Sequence, residues 1–135
     1  MNIELTNKEF RLLLDMVYIG NWVLNSARGD DRFEEYDVLQ EKLFAHCAGA
    51  GLKSLIQVWK GHIFPSREYE EGGIHEAIAD YEDAVFFDIL AEELARRDMV
   101  SEQLNQDDLK ELQQRMEEYI SEFEQNGVQN ISLDI

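Results

Sequence analysis

The stretch IHEAIADYEDAVFFDILAEELARR, residues 74–97, reads as one long amphipathic helix, with Ile74, Ile78, Tyr81 and Val85 on one face at three- and four-residue spacing. It contains the most apolar octet of the chain, AVFFDILA at 84–91. Residues 67–93 also hold ten carboxylates against one cation, Arg67, so a central helix and an anionic surface coincide. The apolar stripe would be continued by Asp88 and Glu92, and something polar is expected to meet the helix there.

Working outward, the other periodic segments are also helical. Thr6-Asn7-Lys8-Glu9 has the form of a capping box, which predicts a helix starting at residue 6 and ending near Ser26. In that segment Phe10, Leu13, Leu14, Val17 and Leu24 share one face, while Leu12, Met16, Ile19, Trp22 and Val23 cover much of the opposite side. Burial on more than one side is therefore expected. Gly29 is expected at positive φ, with Asp30 or Asp31 capping a second helix over residues 32–48. That helix carries Phe33, Tyr36, Leu43, Phe44 and Cys47 on one stripe and is broken by Gly49-Ala50-Gly51.

Leu52, Leu55, Ile56 and Trp59 predict a short third helix over residues 52–60, followed by a loop over 61–73 that contains the one proline, Pro65. After the acidic helix, a break at residues 99–101 leads to a last helix over 105–125. Its stripe is Leu109, Leu112, Met116, Tyr119, Ile120 and Phe123, and Gly127 follows as its C-terminal cap. Ile3 and Leu5, and Ile131, Leu133 and Ile135, alternate as strands do. The expected fold is all-α: a single domain over residues 1–135, a helical bundle of four to five helices, with a small two-stranded ribbon formed by the termini.

Composition bounds the function. The chain has 135 residues, 44% of them apolar, which is enough for one core without staples. A net charge of −17 repels nucleic-acid backbones and anionic membranes, so neither is an expected direct partner. Residues 12–24, the most apolar run, are interrupted by Asp15, Gly20 and Asn21 and are too short to span a bilayer. The lone Cys47 rules out an internal disulfide, and Glu4 stands where a secretory signal would carry a cation, so a reducing, cytoplasmic setting is expected.

Catalytic patterns are incomplete. His75-Glu76 begins a zinc-protease helix signature, but Ala79 occupies the position of the second histidine. None of His46, His62 and His75 has a glutamate three residues before it, as a carboxylate-bridged dimetal bundle would require. Asp88 and Glu92, stacked one turn apart, are the candidate oxygen ligands for Mg²⁺ or Mn²⁺ in a hydrolase or sensor reading. Pairing of Glu92 with Arg96 is the plainer role for that acid. Cys47 lies on an apolar stripe and reads as a small buried hydrophobe. His62, Phe64, Arg67 and Tyr69 in the 61–73 loop make a set suited to touching another protein.

The favoured reading is a small acidic interaction or regulatory module acting through a helical surface, without catalysis or cofactor. Its expected partner is a protein of basic character or a second copy. A divalent-metal carboxylate site is the alternative, and a nucleic-acid mimic the second alternative.

Overall fold

The computed structural model describes residues 1–99 and 105–135. Helices dominate these residues and are accompanied by one two-stranded antiparallel ribbon, so the fold is mostly all-α as expected. The chain divides into two compact units, Met1–Ile78 and Ala79–Ile135. Of the break expected at 99–101, Val100 and Ser101 lie outside the described residues. No helix among the described residues is long and apolar enough to cross a membrane.

The first unit begins with α1 (Asn7–Asn25), nucleated by the capping box: the Glu9 amide donates to Thr6 Oγ1 at 3.1 Å and the Thr6 amide to Glu9 Oε1 at 3.0 Å. Its inward face buries Leu14, Tyr18, Asn21 and Asn25. The fully buried Asn25 acts as a clip for the chain beyond α1. Its amide nitrogen donates to Asn21 Oδ1 at 2.6 Å and to the Phe33 carbonyl at 3.1 Å, and its oxygen accepts from the Phe33 amide at 2.8 Å.

This clip replaces the expected cap. α2 (Glu34–Ala45) follows Phe33 with no side-chain cap, and Asp31 instead accepts from Gly29 and Arg28. Gly29 is not among the positive-φ glycines. Leu14, Tyr18, Phe44, Cys47, Tyr69, Ile74 and Ile78 form the core, and Phe10, Trp22, Leu52, Leu55, Ile56 and Ile63 pack around it.

The helix expected over 52–60 is absent. A 3₁₀ turn (Lys53–Leu55) leads into β1 (Ile56–Trp59), which pairs antiparallel with β2 (His62–Pro65) in the register Trp59 to His62 and Val58 to Ile63. The deciding residues are Lys60 and Gly61, at φ of 50° and 79°. Two consecutive positive φ values are the pattern of a type I′ hairpin turn, whose twist suits flanking strands, and they cannot continue a right-handed helix. The ribbon therefore forms inside the chain and not from the termini, where residues 1–5 and 131–135 carry no strand. Ile56 and Ile63 turn toward the core, while Trp59, His62 and Phe64 share the outer face.

A short helical turn, α3 (Arg67–Tyr69), is capped by Ser66, whose hydroxyl accepts from the Tyr69 amide at 3.2 Å. A wide turn (Glu70–Ile74) follows, in which Gly73 takes a φ of 113° that side-chain-bearing residues rarely adopt. It opens into α4 (His75–Asp98).

The second unit contains the rest of α4 and α5 (Gln106–Asn126), the latter started by a capping box of Asn105 and Asp108 and closed by Gly127. Phe87 meets Phe123 with ring centroids 5.4 Å apart, and Asp98 accepts from Tyr119 Oη. Ala91, Ala95, Leu112 and Phe123 are buried. The buried positions of α4 change phase along its length: Ile78 and Ala91 are 13 residues apart, about 220° around the helix at 100° per residue. The Ile74–Ile78 stripe therefore stops short of Tyr81, which is 64% exposed, and Asp88 lies in solvent with no inward role to fill.

Candidate functional site

The residue types that carry recognition chemistry gather in a groove of the first unit, about 580 Å³ in volume. α1 supplies Tyr18 and Asn21, α2 supplies Asp37, Val38, Gln40 and Glu41, and β2 supplies His62 and Phe64, while Arg32 and Glu70 complete the lining. An adjoining hollow of about 320 Å³ shares Tyr18, Asn21, Arg32 and Gln40 and reaches Trp22.

The floor is a polar network assembled by the helix pair. Asn21 is turned inward one helical turn before Asn25, and its amide nitrogen donates to Asp37 Oδ1 at 3.0 Å and Gln40 Oε1 at 3.2 Å. Arg32 grips Asp37 with two bonds, Nε to Oδ2 at 2.6 Å and Nη2 to Oδ1 at 2.8 Å. That guanidinium holds the Asp37 carboxyl below the usual aspartate range.

Glu41 closes the ribbon edge. Residues of a two-stranded ladder alternately turn their amides away from the partner strand. Ile63 is one of these, and it donates to Glu41 Oε1 at 2.9 Å. His62 Nδ1 lies 3.2 Å from the same oxygen. The Ile63 amide, then His62, keeps the Glu41 carboxyl below the usual glutamate range.

Behind the floor, Tyr18 Oη and His75 Nε2 are 2.7 Å apart, and the His75 ring meets Trp22 edge-on at 4.8 Å between centroids. Burial, and secondarily the charge of Glu70, push the Tyr18 phenol up to about 12. A phenol held that high remains protonated at neutral pH, so it is suited to hydrogen bonding and poorly matched to proton transfer. Burial also pushes the Cys47 thiol up, away from the thiolate a nucleophile needs. No buried side-chain nitrogen or oxygen among the described residues lacks a partner. The groove thus offers a pre-built, satisfied wall of amide, aromatic and carboxylate groups, with more carboxylates (Asp37, Glu41 and Glu70) than guanidinium groups (Arg32).

The residues singled out in the 61–73 segment divide. His62 stands exposed at the groove rim and Phe64 forms an incompletely buried lip, with Val38 also among the lining residues. Arg67 is exposed on α3, paired with Glu71 at 2.6 Å and outside the groove lining. Tyr69 is a correction: at 1% exposure it is a core residue, its ring 5.1 Å from Phe44 and its hydroxyl donating to Asp15 at 2.8 Å. Its place follows from the Ser66 cap, which starts α3 and rolls the following ring inward.

Asp88 and Glu92 lie elsewhere, on the part of α4 in the second unit, and Glu92 accepts from Arg96 Nη2 at 2.9 Å. Among the described residues, no three His, Cys, Asp or Glu side chains are grouped so as to hold a metal ion.

Sequence reasoning missed Tyr18, Asn21, Arg32, Asp37 and Glu41. One signal was available: Asn21 within the most apolar run and Asn25 just beyond it, a helical turn apart, are costly to bury unless they have dedicated partners. Comparison with known proteins finds no family model, no curated protein and no solved structure that matches this chain.

Proposed function

We propose that the protein is a non-catalytic interaction module that receives a basic segment of a partner protein in the groove between α1, α2 and the ribbon. The observation that carries this reading is the groove's own charge. Arg32 is already committed to Asp37, so Glu41 and Glu70 dominate the potential beside the apolar surfaces of Tyr18, Val38 and Phe64. Aromatic and aliphatic walls with carboxylates at their edges suit the stem and head of an arginine or lysine side chain. The chain's charge of −17 would steer such a segment from a distance. A single buried thiol fits a reducing, cytoplasmic setting for this role.

The test is fluorescence anisotropy with a labelled arginine-containing peptide, and with the same peptide carrying glutamine in place of arginine. Glu70→Lys and Phe64→Ala should each weaken arginine-peptide binding by about tenfold, equivalent to about 1.4 kcal/mol. Glu117→Lys on α5 changes net charge as Glu70→Lys does but lies outside the groove lining. Equal loss from Glu117→Lys and Glu70→Lys would reduce the effect to bulk charge and overturn the groove reading.

A further inference from the structure

We infer that His62 is a proton switch on docking in the groove: neutral, it leaves the Glu41 carboxylate to the basic segment, and once charged it engages that carboxylate itself and weakens docking. This regulation rests on the groove receiving a basic segment.

The ribbon holds the switch in place. His62 stands on β2 at the groove rim, its side chain largely in solvent, with Nδ1 at 3.2 Å and 3.4 Å from the two oxygens of Glu41. The nearer oxygen also accepts from the Ile63 amide at 2.9 Å, which anchors the carboxylate to the ribbon. Across the ladder His62 meets Trp59, and its ring centroid lies 6.5 Å from that of Phe64. The charged group beside Trp59 is Lys60, whose Nζ sits 4.4 Å from the centre of the indole. Tyr18 from α1, Asp37 from α2, and Arg32 and Glu70 are the other titratable groups of the groove.

Among the described residues that line the groove, His62 is the one side chain whose ordinary charge change falls between pH 5 and 8. Arginine stays cationic and carboxylates stay ionised over that window. The Ile63 amide, foremost, holds the Glu41 carboxyl below the usual glutamate range, so Glu41 is a permanent counter-charge there. The Tyr18 phenol, pushed up to about 12, stays protonated. With His62 neutral, three carboxylates face one guanidinium and the lining carries a net charge of −2, which protonation of His62 halves to −1. In the charged ring both nitrogens are donors, so Nδ1–H also competes with the incoming cation for Glu41.

A unit charge roughly 8 Å from a docked cation, seen through an effective dielectric between about 40 and 80, changes affinity about two- to sixfold. The coupling is reciprocal. A segment that docks less well on the charged form must, once docked, make His62 harder to charge.

The experiment is the anisotropy titration at about pH 8 and about pH 5.5, at fixed ionic strength, with an acetylated arginine peptide that contains no histidine. Binding to the wild-type chain should be about two- to sixfold weaker at the lower pH. His62→Gln, which keeps a donor for Glu41 but cannot change charge, should bind equally well at both. His75→Gln, which replaces the histidine bonded to Tyr18 behind the floor, should keep the wild-type dependence. NMR of the His62 ring protons in the wild-type chain gives a readout free of any substitution: saturating peptide should move their titration to lower pH. Equal affinity at both pH values, a dependence that survives in His62→Gln or follows His75 instead, or a His62 titration that ignores the peptide would overturn the switch and leave the groove reading standing. Absence of binding at both pH values removes the groove reading itself, and the switch with it.

Discussion

Asn25→Ala isolates the clip that joins α1 to the start of α2. The amide is fully buried, and its three bonds at 2.6, 3.1 and 2.8 Å satisfy Asn21 Oδ1, the Phe33 carbonyl and the Phe33 amide. Truncation leaves those three groups without their partner. A buried polar group deprived of its bond costs roughly 1–3 kcal/mol, but Phe33 is only partly buried and water can reach one or two of the orphans. The expected destabilisation is therefore about 2–4 kcal/mol, a large share of the roughly 5–15 kcal/mol typical of a domain.

Both tryptophans, Trp22 and Trp59, belong to the first unit, so their fluorescence during urea unfolding reports on it directly. The variant should lower the midpoint with an unchanged slope. It should also weaken peptide docking, since the chain that carries Arg32 to Asp37 is held by the same clip. A loss below about 0.5 kcal/mol, the range of ordinary surface substitutions, would refute the role assigned to Asn25.

Three further substitutions test the local physics. Gly61→Ala places a Cβ at a φ of 79° and should destabilise the first unit by about 1–2 kcal/mol in the same urea assay, whereas Lys60→Asn, at a φ of 50°, should be neutral or stabilising; the reverse order would contradict the turn assignment. The Asp37 carboxyl is held below its ordinary value of 3.8, chiefly by Arg32, so the unfolded chain binds more protons as pH falls through that region. Its contribution is present in full above about pH 4 and is lost as pH falls through the lower folded-state value; Asp37→Asn should therefore shallow the acid limb of a stability–pH curve, and an unchanged limb would count against the clamp.

The helices were legible because their signals are local. The capping box at Thr6 and Glu9, the α5 stripe through Leu112 and Phe123, and Gly127 each act within a few residues and appear as read. The 52–60 segment misled because Leu52, Leu55, Ile56 and Trp59 satisfy a helical period, while the same run alternates Ile56 and Val58 as a strand does. Lys60-Gly61 decided between them, and a positive φ at lysine is not a feature its side chain announces. Tyr69 looked like a surface contact because burial of a ring in an irregular segment depends on the direction in which the Ser66-capped turn enters the core.

By itself the sequence determined the helical class, the acidic exterior and the lack of familiar catalytic motifs, since periodicity, caps and net charge are properties of neighbouring residues or of their sum. Tertiary structure alone decided which polar groups meet. Asn21 finds Asp37 across 16 residues, Glu41 finds Ile63 across 22, and Tyr18 finds His75 across 57. The strength of such contacts depends on orientation and on exclusion of water, and both exist only after distant segments have packed.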